Sequence, residues 1–128
     1  MKKRDAITQL SKLLDVSSIL IHPALLQEIM DIIKRSGNEK QVFTILSRRL
    51  QMLREYGSQA QLYHKEFELL SEGIYSMHIS TDSINLRILY AFRDPNTMLL
   101  LAFYEREGKK KTDYTGKIEV AKDRLNEM

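Results

Sequence analysis

The stretch Gly73-Ile74-Tyr75-Ser76-Met77-His78-Ile79-Ser80, followed by Asn85-Leu86-Arg87-Ile88-Leu89-Tyr90-Ala91-Phe92 and Met98-Leu99-Leu100-Leu101-Ala102-Phe103-Tyr104, decides the fold class. In the first segment Tyr75, Met77 and Ile79 alternate with Ser76, His78 and Ser80, which predicts a strand with one apolar and one polar face. The second segment reads as a strand that carries Arg87 among apolar neighbours. The third is almost wholly apolar and fits a central strand covered on at least one side. Thr81-Asp82-Ser83 and Asp94-Pro95-Asn96 supply the turns. Period-2 alternation places Ser76 and His78 on one face, but does not by itself assign Arg87 to it.

Working upstream, Leu25, Leu26, Ile29, Met30 and Ile33 form one helical stripe behind Pro23, with Gly37 placed to stop it. Val42, Leu46, Leu50 and Leu53 line a second helix that ends at Gly57, so the two make a helical hairpin joined by Ser36-Gly37-Asn38. Ser18 to His22 reads as a short strand. Ile7, Leu10, Leu13 and Leu14 predict an amphipathic helix near the start. Downstream, Gly108 and three lysines form a loop, and Ile118, Ala121 and Leu125 mark a closing helix. The order predicts an α+β fold: a small, mostly antiparallel sheet, a helical hairpin packed on one face, a C-terminal helix and an extra N-terminal helix. Residues 1–16 are the helical extension, and 17–128 the main domain.

A chain of 128 residues is the size of one domain, and 43% apolar with 29% charged residues is ordinary for a globular protein. No run reaches the length of a membrane span, and Met1-Lys2-Lys3-Arg4 is not followed by the apolar stretch of a signal peptide. The expectation is a soluble, cytoplasmic domain without membrane contact. With no cysteine there is no disulfide, thiolate nucleophile or Cys-based metal site. The spacing of His22, His64 and His78 supports no metal site either, and no phosphate-binding Gly-rich loop is visible. No cofactor is expected. The formal charge of +3 says little, but its distribution says more: seven basic residues stand against two acidic ones between Lys34 and Lys65. Lys109-Lys110-Lys111, with Arg106 just before, form a second cluster. Such clusters attract phosphate backbones or an acidic partner, or simply decorate a solvated surface.

At Gly73-Ile74-Tyr75, Leu86-Arg87-Ile88-Leu89-Tyr90 and Leu101-Ala102-Phe103, the chain resembles the RelE/HigB superfamily of toxins from type II toxin–antitoxin systems. The phage-derived HigB-like branch is the nearest likeness. The Lys-rich loop Gly108 to Tyr114 and Ala121-Lys122-Asp123-Arg124-Leu125 continue it through the C-terminal half. The resemblance implies a RelE-like fold and a ribosome-dependent, metal-independent mRNA endoribonuclease that inhibits translation. The implied partners are the ribosome, mRNA and a cognate antitoxin, expected to be a small helix-turn-helix protein. In this family the 2′-OH of the RNA attacks the adjacent phosphate, so the site needs a base, positive charge on the phosphate and an acid for the leaving oxygen.

Arg87 occupies the position of the family's phosphate-binding Arg, and its planar fork suits two phosphate oxygens; a sheet-surface ion pair is the plain alternative. His78 stands where the branch carries Arg and other members Lys, and an imidazole can exchange protons where Arg cannot. A surface His without a role is the competing reading. Arg106 and Tyr114 complete the catalytic candidates. Arg48, Arg49, Lys65, Tyr104, Lys109, Lys110 and Lys111 are the candidate RNA contacts. Ion pairing with Glu105 and Glu107, rim packing of the tyrosines and plain solvation of the lysines are their alternatives. His22, at a helix start, reads as structural. A second function class stays open: a non-enzymatic ParE-like toxin that binds DNA gyrase, favoured by the charges missing at Ser76 and His78. A catalytically inactive antitoxin-binding relative is a third.

Overall fold

The computed structural model describes Thr8, Lys12 and residues 18–63, 65–81, 85–104 and 114–128. Thr8 and Lys12 are helical. The rest of the expected N-terminal helix, Asp82 and Ser83 of the first turn, His64, Arg106 and the triple lysine lie outside the described residues.

The elements run β1 (Ile19–Ile21), α1 (Leu25–Ser36), α2 (Glu39–Tyr56), a 3-10 segment (Gly57–Leu62), β2 (Phe67–Leu69), β3 (Tyr75–Ser80), β4 (Asn85–Arg93), β5 (Asn96–Tyr104) and α3 (Thr115–Glu127). This is an α+β arrangement around one five-stranded mixed sheet of order β1-β5-β4-β3-β2. β1 runs parallel to β5, and the other neighbours are antiparallel. The meander and both hairpin helices follow the sequence pattern. β2 was not expected; it adds an edge strand outside β3.

Gly37 ends α1 in the left-handed region, at φ 70°, and its N–H reaches the Ile33 carbonyl. A side chain at that φ is strained, which is why glycine serves there. The hairpin buries Leu25, Ile29, Ile33, Val42, Leu46, Leu50 and Leu53 against Met77, Ile79, Leu86, Ile88, Tyr90 and Leu99 of the sheet. Each such side chain contributes about 1.5–3 kcal/mol of burial. On the opposite face, Ile118, Ala121 and Leu125 of α3 pack with Leu89, Ala91, Leu100, Leu101 and Phe103. β5 is therefore covered on both sides, the physical reason for its unbroken apolar run. A bulge interrupts β5: Leu89 pairs with Leu101 and Tyr90 with Leu99, so Leu100 has no cross-strand partner.

β1 spans only three residues, and an ion pair caps the bare edge of β5 beyond it. Arg124 and Glu28 meet at 2.7 and 2.9 Å. Arg124 also donates to the Leu100 carbonyl at 3.0 Å, and Glu28 accepts the Ala102 N–H at 3.2 Å. The pair joins α1 to α3 around the sheet edge and satisfies backbone groups that would otherwise lack partners. His22 serves the same packing: its Nδ1 accepts the Ala24 N–H at 3.1 Å, so Nε2 carries the proton and donates to Glu127 at 2.6 Å. No helix among the described residues is long and apolar enough to cross a membrane.

Candidate active site

The polar face of β3 turns away from the helical hairpin. Residues directly opposite in adjacent strands project to the same side. The register pairs His78 with Arg87 and Arg87 with Phe103, so an imidazole, a guanidinium and a phenyl ring form one row across β3, β4 and β5. In the next row Glu68 of β2 stands opposite Ser76, and Ser76 opposite Leu89. The side of the sheet on which Arg87 stands is thereby settled: it shares the face of Ser76 and His78.

Tyr114, just before α3, leans over this face. Its hydroxyl donates to Glu68 Oε1 at 3.2 Å and lies 3.1 Å from Oγ of the buried Ser76. Its ring meets Phe103 edge-on at 6.0 Å between centroids. Lys117 Nζ sits 5.2 Å above the Phe103 ring. The buried Phe103 and the half-buried Tyr114 thus pack over the row beside Arg87 and His78, with a lysine at the rim.

The His78 side chain is only 14% exposed, and its Nε2 lies 3.3 Å from Glu68 Oε1. That contact is not aligned as a hydrogen bond, so Nε2 is buried without a partner. Burial, and then the Arg87 charge, hold the His78 pKa below its ordinary 6.5, with Glu68 opposing them. At neutral pH the ring is uncharged. Arg87 is half-buried. Its Nε is buried without a partner, and among the described residues no carboxylate pairs with it. A neutral imidazole base beside an unneutralised guanidinium can take a proton and receive an anion at once.

The α2 cations approach from the other side of β3. Arg49 Nε donates to the His78 carbonyl at 3.0 Å. Burial holds its pKa below the ordinary arginine value, against the raising influence of Glu66. Arg48 beside it and Lys65 are exposed. Arg49 thus reaches the backbone of His78 rather than the face of its ring, and Arg48 lines a groove with Gln41, Thr44 and Ile45. Tyr104 does not join the site. It pairs with Leu86, on the hairpin side of the sheet. The bulge at Leu100 inverts the alternation of β5, so that Phe103 takes the face that a regular strand starting at Met98 would assign to Tyr104. Arg106, Lys109, Lys110 and Lys111 lie outside the described residues.

Sequence reasoning missed Glu68, Phe103 and Lys117. Phe67-Glu68-Leu69 is too short to show a period, and Phe103 reads as core until its cross-strand partner is known. Among the described residues no group of three or more His, Asp or Glu is placed to hold a metal ion. No family model, curated protein or solved structure matches the chain.

Proposed function

We propose that this protein is an RNA-cleaving toxin of the RelE/HigB kind, with a RelE-like fold, acting on mRNA at the ribosome and restrained by a small helix-turn-helix antitoxin. The observation that carries the reading is the cross-strand pair His78–Arg87: an imidazole kept uncharged by burial and a guanidinium free of any described carboxylate, on one face. In the reaction, the ribose 2′-oxygen bonds to the adjacent phosphorus while its proton passes to His78 Nε2. The bond from phosphorus to the 5′-oxygen breaks, leaving a 2′,3′-cyclic phosphate and a 5′-hydroxyl. Arg87 binds the crowded phosphate and stabilises its added charge. The Tyr114 hydroxyl, which rests on Glu68 and Ser76, supplies the proton to the departing 5′-oxygen, and its partly exposed ring offers a base a stacking surface. Arg48, Arg49 and Lys65 at the neighbouring edge, and the lysine run at 109–111, hold the RNA backbone.

The test is induction in a bacterial host with primer-extension mapping of transcripts. Discrete cuts within translated codons, absent for Arg87→Ala, are the expected result. Intact messages accompanied by DNA damage would replace this reading with the gyrase-binding one.

A further inference from the structure

We propose that the outer edge of β2 docks an extended segment of a partner protein as an added strand, and that this segment carries an apolar–basic–apolar run. Such a partner docks whether or not RNA is the substrate. β2 ends the sheet, with β3 on one side and no described strand on the other. The Glu66 carbonyl accepts the His78 N–H at 2.8 Å, and the Leu70 N–H donates to the Ile74 carbonyl at 2.9 Å. Hydrogen-bonded positions alternate along an antiparallel pair, so the backbone groups of Phe67 and Leu69 point away from β3. The Phe67 N–H is taken by the Tyr63 carbonyl at 2.9 Å. The Phe67 carbonyl and both backbone groups of Leu69 meet no backbone partner among the described residues. An extended chain laid along this edge pairs with them.

The side chains beside the edge select what that chain carries, because residues opposite each other in adjacent strands share a face. A partner residue opposite Glu68 stands beside a carboxylate whose side chain is 47% exposed, and Lys or Arg there forms an ion pair. The residues opposite Phe67 and Leu69 turn to the hairpin side of the sheet. There Leu69 is 50% exposed and Leu62 68% exposed. The Glu66 and Phe67 N–H groups both donate to the Tyr63 carbonyl, which folds Leu62 and Tyr63 back against the start of β2. Tyr56, also exposed, lies 5.2 Å from Tyr63 between ring centroids. Apolar side chains cover such a patch. A second copy of this chain fits poorly. A two-fold pairing of Phe67 with Leu69 sets Glu68 against its own copy, and like charges directly opposite repel.

The experiment titrates the isotopically labelled full chain with a short blocked peptide centred on valine-lysine-valine and with its valine-glutamate-valine counterpart, followed by NMR. The lysine peptide is expected to bind roughly fivefold more tightly, the upper end of one cross-strand charge pair. The formal charge of +3 on the chain favours the opposite order. In the complex, exchange of the Leu69 amide hydrogen with solvent slows. Leu69→Pro removes the outward N–H, where edge strands tolerate proline, and weakens the lysine peptide roughly tenfold. Glu68→Gln brings the two peptides close to parity. The amide exchange is read on the wild type and decides the matter if the proline variant does not fold. No binding of the lysine peptide, a preference for the glutamate one, or an unchanged Leu69 exchange rate at saturation overturns the proposal. A folded Leu69→Pro variant that binds like wild type does the same. So does a dimer in sedimentation that Leu69→Pro abolishes, since the edge then serves a second copy. None of these readouts involves RNA, so the RNA reading stands or falls apart from them.

Discussion

His78 and Arg87 stand directly opposite each other on β3 and β4, one neutral through burial and the other charged without a described counter-ion. Placing an imidazole beside a guanidinium lowers proton affinity, so the ring stays a free base at a pH where an exposed histidine is partly protonated. The pair is therefore a base and an anion receptor held by one antiparallel register.

Replacing Arg87 by Ala should abolish growth arrest and leave the fold intact. Its Nε has no partner to lose, and the flanking Leu86 and Ile88 pack on the other face with the hairpin. Stability within about 1 kcal/mol of wild type by urea unfolding, together with loss of transcript cleavage, is the expected combination.

Acid should both silence and loosen the site. The folded-state pKa of His78 lies below the ordinary 6.5, so near and below that pH the unfolded chain binds more protons than the native one. This group's contribution to stability is complete above pH 6.5 and is lost as the pH falls to the folded value. His78→Gln should remove that part of the pH dependence. In NMR titrations, Arg87→Ala should move the His78 midpoint upward, because one of its two depressing influences is gone.

The Glu28–Arg124 pair is a structural bond across the molecule. Its side chains are 24% and 17% exposed, and both also hold backbone groups of β5. Removing either partner leaves the other poorly solvated and uncaps the strand edge, so Arg124→Ala or Glu28→Ala should cost about 3 kcal/mol. The double variant should cost less than the sum of the two, a coupling that denaturant unfolding measures.

Tyr90 offers a gain in stability. Its hydroxyl is buried with no partner, and burial pushes its pKa well above the ordinary 10. The ring stacks on Tyr75 at 5.3 Å and meets Phe67 and Phe92 edge-on. Tyr90→Phe keeps those contacts and removes the unsatisfied group. Thermal and urea unfolding should show about 1 kcal/mol of stabilisation.

By itself the sequence determined the elements whose periods are local. The helical stripe ending at Gly37, the second helix to Gly57, the polar alternation of Ser76 and His78 and the apolar run of β5 are all present where the pattern puts them. Only the tertiary structure decided which of these residues meet. Arg87 joined His78 through a pairing register, and β2 with Glu68 came into view only as the outer neighbour of β3. Phe103 displaced Tyr104 through one extra residue at Leu100, and Glu28 found Arg124 across 96 positions of chain. A helix or strand is dictated by neighbours a few residues apart. The face on which a side chain works is dictated by register, bulges and edges, which are properties of the whole sheet.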